Sequence, residues 1–233
     1  MKHFLVLFFS VLLPLAAAEE TFRIVTLGDS ITKGIRSGVR AEETFSAVLQ
    51  EALQKEGLRL LVENLGIGGE RTDQALKRLE RNVLSLGPRL VTVMYGTNDS
   101  WVDAGKTESR LTEDAYEANL RELLKRLVAA KIQPVLMTEP MFGEANPKNG
   151  AGEEPNLRLA RYMERCRTVA REMQVPLVDH FSHWADAQRA GQKLQDWTTD
   201  GCHPNPAGHA EMARTILKQL SALVRPAAVT APR

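Results

Sequence analysis

The sequence is poor in the features that mark a disulfide scaffold, a membrane span or a polyanion binder. It holds only two cysteines, Cys166 and Cys202. Two cannot build a disulfide-dense scaffold or a four-cysteine zinc site, and they allow one pairing at most. Cys166 falls in a helical pattern and Cys202 in a loop, so pairing stays open, with two buried thiols favoured. Charge of one sign is missing too: 30 Lys and Arg stand against 29 Asp and Glu, for a net charge of +1. Such a chain has no bulk electrostatic reason to seek nucleic acid or an anionic bilayer. Glycine and proline follow no strict period, which excludes collagen-like and low-complexity chains. Beyond the first residues no apolar stretch is long enough to span a membrane.

What is present begins with a targeting pattern. Lys2 precedes an apolar run over residues 4–15, and Ala16-Ala17-Ala18 supplies small residues at a cleavage site. Residues 1–18 therefore read as a signal peptide removed on export, to the periplasm or beyond. Residues 19–224 read as one domain and residues 225–233 as a flexible Pro/Ala-rich tail.

Within the domain, short apolar runs at 24–27, 60–62, 90–94, 135–137 and 177–178 read as strands. Their near-continuous apolar character suits parallel strands covered on both faces. Helical spacing follows each one. Phe45, Val48, Leu49, Ala52 and Leu53 share a face that ends at Gly57. Ala75, Leu76, Leu79 and Val83 share another, with Thr72 as N-cap and Gly87-Pro88 as its end. Tyr116 to Val128 continues from a cap near Thr112, and Leu159 to Met173 forms a fourth pattern. The last helix starts at Pro206, with Asn205 as N-cap, and runs to about Val224. Strict alternation of strand and helix predicts a three-layer α/β domain with a mostly parallel five-stranded sheet.

Ligands of such sheets bind beyond the carboxyl ends of the strands. Four segments fall there. Gly28-Asp29-Ser30 can present a hydroxyl at the end of the first strand. Asn64-Leu65-Gly66-Ile67-Gly68-Gly69 follows the second, where glycines let backbone N–H groups approach a substrate. Gly96-Thr97-Asn98-Asp99 follows the third, and an Asn amide there can donate to a developing oxyanion. Asp200-Gly201-Cys202-His203-Pro204 precedes the last helix. A carboxylate three residues before a histidine can reach back to one ring nitrogen, leaving the other to take a serine proton. Pro204 holds His203 extended and outside the helix. Alone, each segment reads equally well as a turn.

Together and in this order, the four segments resemble the SGNH (GDSL-type) hydrolase family, with all of its motif blocks between Gly28 and Pro204. The resemblance implies a flavodoxin-like α/β/α sandwich and ester hydrolysis without metal or cofactor. It implies Ser30 as nucleophile, His203 as general base and Asp200 as the group that orients it. It further implies an oxyanion hole from the Ser30 N–H, Gly69 and Asn98. Gly69 is taken over Gly68 because the family's glycine sits five residues after the Asn, here Asn64. Asp29, Trp101 and Trp197 lie close to these motifs and are candidate substrate-binding residues, since aromatic walls suit sugar rings and acyl chains.

Other signals point nowhere. Lys33 precedes Gly34, so the GDSITKG segment is not a phosphate loop, and no G-x-G-x-x-G follows the first strand. His180 and His183 could share a helix face but have no third ligand in view, and His209 reads as a packing residue. Arg71 and Glu139 come from strand-end loops without an assigned role. The expected activity is an exported serine ester hydrolase that removes short acyl groups, above all acetyl, from a carbohydrate or similar polar carrier. The alternatives are a lipid-type esterase, lysophospholipase or thioesterase with a longer acyl groove, and a non-catalytic binding module on the same fold. The expected partner is a small-molecule or glycan ester, with no nucleic acid and no membrane span. Oligomeric state is not legible.

Overall fold

The structure, a computed structural model, describes residues 21–144 and 146–229. The predicted signal peptide over residues 1–18 lies outside the described residues. In chain order the elements are β1 (Phe22–Gly28), α1 (Ser30–Lys33), α2 (Phe45–Lys55), β2 (Leu60–Asn64), α3 (Thr72–Arg78), β3 (Leu90–Met94) and α4 (Thr97–Ser100). Then come α5 (Glu113–Ala129), β4 (Gln133–Met137), α6 (Pro155–Glu172), β5 (Leu177–Val178), α7 (His180–Arg189) and α8 (Pro206–Val229). Short 3-10 and π turns join several of them.

All strand pairs are parallel and the order across the sheet is β2-β1-β3-β4-β5, the flavodoxin-like arrangement. Every residue of β3 is buried, as its uninterrupted apolar sequence requires of a central strand covered twice. On one face Ile24, Met94 and Val135 pack with Leu49 of α2 and Ile216 of α8. On the other Val25, Val93 and Leu136 pack with Ala75 of α3, Leu124 of α5 and Leu159 of α6. Leu49 and Leu124 are fully buried, and each such leucine contributes about 1.5–3 kcal/mol of hydrophobic stabilisation.

The predicted strands all form. The helix boundaries needed correction where tertiary contacts rule. Arg71, not Thr72, is the N-cap of α3, because the Thr72 N–H and hydroxyl both donate to Asp99 Oδ1 (3.0 and 2.6 Å). That helix also stops at Arg78, and a π turn and a 3-10 turn carry the chain to Leu86. The last helix passes the expected boundary at Val224 and ends at Val229, so five residues of the predicted tail are helical. The short helices α1 and α4, and the longer α7, were not legible from periodicity.

The chain leaves β1 for β2 on one side and reaches β3 on the other. The order of connection therefore reverses between β1 and β3, which opens a crevice at their carboxyl ends. Ser30 and Asn98 stand at that point.

Candidate active site

Ser30 is the first residue of α1, directly after β1. The turn is tight enough that only glycine fits at position 28: a Cβ there would lie 2.1 Å from Thr32 Oγ1 and 2.7 Å from the Met94 carbonyl. Asp29 caps the helix, accepting the Ile31 N–H at 2.8 Å. The serine hydroxyl meets His203 Nε2 at 3.0 Å, across 173 residues of sequence.

His203 arrives on a loop that folds back on itself. Thr198 and Pro204 form a bridge, the Thr199 N–H reaches the His203 carbonyl at 2.8 Å, and the Asn205 N–H reaches the Trp197 carbonyl at 2.9 Å. Asn205 caps α8, accepting the Gly208 N–H at 3.0 Å. Asp200 Oδ1 accepts the backbone N–H groups of His203 and Cys202 at 2.8 and 3.1 Å. Its Oδ2 lies 2.9 Å from His203 Nδ1 and accepts from Arg36 Nη2 at 2.6 Å. A carboxylate can only accept, so this contact puts the imidazole proton on Nδ1 and leaves Nε2 as an acceptor facing the serine hydroxyl.

Electrostatics fit that proton arrangement. Burial holds His203 below the ordinary histidine value, opposed by the adjacent Asp200, so the ring is neutral near neutral pH. Partial burial would raise Asp200, but the His203 and Cys202 amides and the imidazole outweigh it and bring it down to about 2. It is an anion throughout the range in which His203 titrates.

Asn98 sits in α4, beyond β3. Its Nδ2 donates to Asp29 Oδ2 at 2.7 Å, and its Oδ1 accepts from Arg110 Nη1 at 3.3 Å. The Arg110 guanidinium can only donate, which settles the amide's orientation: the oxygen faces Arg110 and the NH2 group faces Asp29. One of the two amide hydrogens is thus engaged by Asp29, and the second is not used by that bond. The loop after β2 completes the constellation. Ile67 accepts the Glu70 N–H at 3.2 Å, closing a turn in which Gly69, and not Gly68, takes the left-handed backbone (φ 75°). Asn64 ties the loop to α1, donating to the Thr32 carbonyl at 2.7 Å and accepting the Gly66 N–H at 2.9 Å. Buried Glu70 anchors the far side through Arg78 Nε (2.6 Å) and the Tyr95 hydroxyl (2.6 Å).

The expected substrate-binding residues behave differently from one another. Asp29 is a correction: it is fully buried and spends both carboxylate oxygens on Ile31 and Asn98, so it cannot touch a substrate. Burial pushes it up to about 7, with further upward pressure from Asp99 and Glu70. Trp197 has aromatic neighbours on one side. Its ring stacks on His183 (6.4 Å, 13°) and meets Trp184 edge-on (5.2 Å), both on α7, and it stays partly exposed. Trp101 stays partly exposed, tilted against Phe142 at 6.1 Å. A cavity of about 400 Å³ is lined by Asp103 and residues 105–110, of which Arg110 also reaches Asn98. A larger cleft of about 540 Å³ lies at the amino ends of the strands, between Phe22, Leu90 and Gln133, away from the serine and the histidine.

The histidines and cysteines set aside by sequence have ordinary settings. His180 is fully buried and pushed down to about 3 by that burial, His183 pairs with Glu211, and His209 accepts the Phe45 N–H at 3.3 Å. Both cysteines are free thiols, and burial pushes Cys166 up to about 12. Among the described residues no group of three or more His, Cys, Asp or Glu side chains is placed to hold a metal ion. Sequence reasoning missed Arg36, Glu70, Arg78 and Arg110, which meet the site only through tertiary contacts and carry no local motif.

A family model for the GDSL-like lipases and acylhydrolases matches residues 26–211, the whole span from the first strand into the last helix. The chain belongs to the GDSL-like lipase/acylhydrolase family. It is 30% identical to thioesterase 1/protease 1/lysophospholipase L1 of Escherichia coli strain K12, over 95% of this chain and 93% of that protein. It is 28% identical to the Bacillus subtilis lipoprotein YqeF, over 84% of this chain and 85% of that one. Among solved structures, the acetylxylan esterase of Geobacillus stearothermophilus superposes with a TM-score of 0.72 at 25% identity, covering 87% of this chain and 96% of that one. The protein is accordingly a carboxylic ester hydrolase of the GDSL type, on the parallel α/β/α sandwich of its relatives.

Proposed function

We propose that this hydrolase works through an acyl-enzyme on Ser30 and removes short acyl groups, acetyl above all, from a carbohydrate or similar polar carrier. The observation that carries the mechanism is the continuous relay from Ser30 Oγ to His203 Nε2 (3.0 Å) and from His203 Nδ1 to Asp200 Oδ2 (2.9 Å). His203 takes the Ser30 proton as Oγ bonds to the ester carbonyl carbon. The carbonyl oxygen becomes an oxyanion, held by the Ser30 N–H, the Gly69 N–H and the remaining Asn98 amide hydrogen. The C–O bond to the alcohol breaks, and the leaving oxygen takes the proton from His203. Water then repeats the sequence on the acyl-enzyme, releasing the acid and restoring Ser30. Asp200 remains ionised throughout and stabilises the transient imidazolium.

Three observations favour a short acyl group on a polar carrier. Arg110, which donates to Asn98 Oδ1, also lines a cavity formed by Asp103 and residues 105–110, with no large apolar side chain in its lining. Trp101 offers an aromatic edge of the kind that packs on sugar rings. The structural relative acts on acetylated xylan by its name. Export over the signal peptide of residues 1–18 belongs to the same reading, supported by the lipoprotein among the relatives. The thioesterase and lysophospholipase names of the Escherichia coli relative keep a longer acyl groove as the second reading.

The test is a series of p-nitrophenyl acetate, butyrate, octanoate and palmitate with wild type beside Ser30→Ala. The expected result is serine-dependent turnover that falls steeply beyond acetate, with Ser30→Ala lower by about 10⁴-fold or more. Turnover that rises towards octanoate would establish the acyl-groove reading instead. A folded Ser30→Ala protein with undiminished activity would sink the nucleophile assignment.

A further inference from the structure

The Asp200 carboxylate has a donor that a serine–histidine–aspartate relay does not require. Arg36 Nη2 donates at 2.6 Å to Oδ2, the same oxygen that faces His203 Nδ1 at 2.9 Å. Oδ1 already takes the amides of His203 and Cys202. A carboxylate offers about four lone-pair sites, and here each has its own donor. Without Arg36 one site on Oδ2 would pass to water, because the Asp200 side chain is 39% exposed.

Arg36 is not a loose surface side chain. It follows α1, and its backbone exchanges two hydrogen bonds with Val39 (3.3 and 3.0 Å) around a two-residue turn of Ser37 and Gly38. Val39 is buried, which pins the turn to the body of the protein. The element that carries Ser30 therefore leads directly into the element that holds Asp200, so one segment sets both ends of the relay. An isolated exposed ion pair adds little to stability. A cation sharing an oxygen with the imidazole acts instead on the orientation and charge of the group that His203 feels.

Resting on the serine-hydrolase reading above, we propose that Arg36 is a positioning residue of the hydrolytic site, clamping Asp200 against His203 Nδ1 and sharing its charge. The charged and titratable groups around His203 are Asp200 on its own loop, Arg36 on the loop after α1, Ser30 in α1 and His209 on α8. Burial is the largest influence and lowers His203, Asp200 opposes it, and Arg36 reinforces the lowering. With Arg36 present the ring stays neutral, and able to accept the Ser30 proton, to lower pH. Loss of one such cation at the high effective dielectric of a half-exposed site corresponds to about 0.5–1 pH unit.

The experiment is the pH profile of kcat and KM on 1-naphthyl acetate for wild type, Arg36→Ala, Arg36→Gln, Arg36→Lys and Ser30→Ala, with thermal melts to verify folding. In Arg36→Ala and Arg36→Gln the acidic limb of kcat/KM is expected to move up by about 0.5–1 pH unit, with KM changed less than about twofold. Arg36→Lys, which keeps the charge, is expected to restore most of the limb. An unmoved limb in folded Arg36→Ala and Arg36→Gln overturns the proposal, as does a raised KM with an unmoved limb, which would make Arg36 a substrate contact. Retained activity in Ser30→Ala overturns the serine-hydrolase reading itself. An inactive Ser30→Ala beside an unmoved Arg36→Ala limb overturns the Arg36 role alone.

Discussion

Two aspartates flank the candidate site and have opposite chemistry. Asp200 stands on the rim, 39% exposed, surrounded by two backbone amides, an imidazole and a guanidinium. Asp29 lies on the floor, fully buried, with the Ile31 amide and the Asn98 side chain as donors and the carboxyls of Asp99 and Glu139 nearby. The first is brought down to about 2 and the second pushed up to about 7. The same side chain becomes a permanent anion where donors outnumber the cost of burial, and a group that can hold its proton where burial and like charge win. The rim suits a carboxylate that supports a transient imidazolium. The floor suits a fixed acceptor that orients the Asn98 amide.

Substitutions can break this contrast. The largest effect is expected from Asp200→Asn, which keeps the shape but loses the charge and one acceptor for the imidazole proton. It should lower kcat by about 10³–10⁴-fold with little change in KM, and steady-state kinetics on an acetyl ester would show it. Asn98→Ala comes next, at about 10²–10³-fold in kcat, the loss of one oxyanion donor; a larger loss in KM than in kcat would instead make Asn98 a ground-state contact. Asp29→Asn should cost about tenfold or less, because it touches catalysis only through Asn98.

Its clearer mark is on stability. A carboxyl raised from 3.8 in the unfolded chain to about 7 in the folded one binds its proton more tightly when folded. Its contribution is complete below about pH 4 and is lost as pH rises towards 7. Asp200 has the opposite sign: its contribution is present above the unfolded value of 3.8 and is lost as pH falls towards about 2. Urea unfolding of wild type and Asp29→Asn at pH 5 and pH 8 should therefore show a smaller fall in stability over that interval in the variant. Equal falls in both proteins would mean that Asp29 does not titrate there.

The parts of the fold legible in the sequence share a physical origin. Strands such as 90–94 are continuous apolar runs because both faces are covered, and α2 and α5 repeat apolar residues at the helical period because one face is buried. The helix caps at Thr112 and Asn205 are local chemistry and were equally legible. Where reading failed, a distant partner had intervened. Asp99 takes the Thr72 hydroxyl from its capping role. Asp29 looked like a site residue because it sits beside Ser30 in sequence, yet the turn that exposes the serine turns its neighbour inward.

By itself, then, the sequence determined the strand and helix order, the four motif segments and the residue types able to do acyl transfer. Each of these depends on contacts within a few residues or on the average burial of a periodic face. Only the tertiary structure brought Ser30 to His203 across 173 residues and Arg36 to Asp200 across 164. Only it sorted the two aspartates into an exposed anion and a buried acceptor, because burial and charge are sums over neighbours that the chain order does not contain.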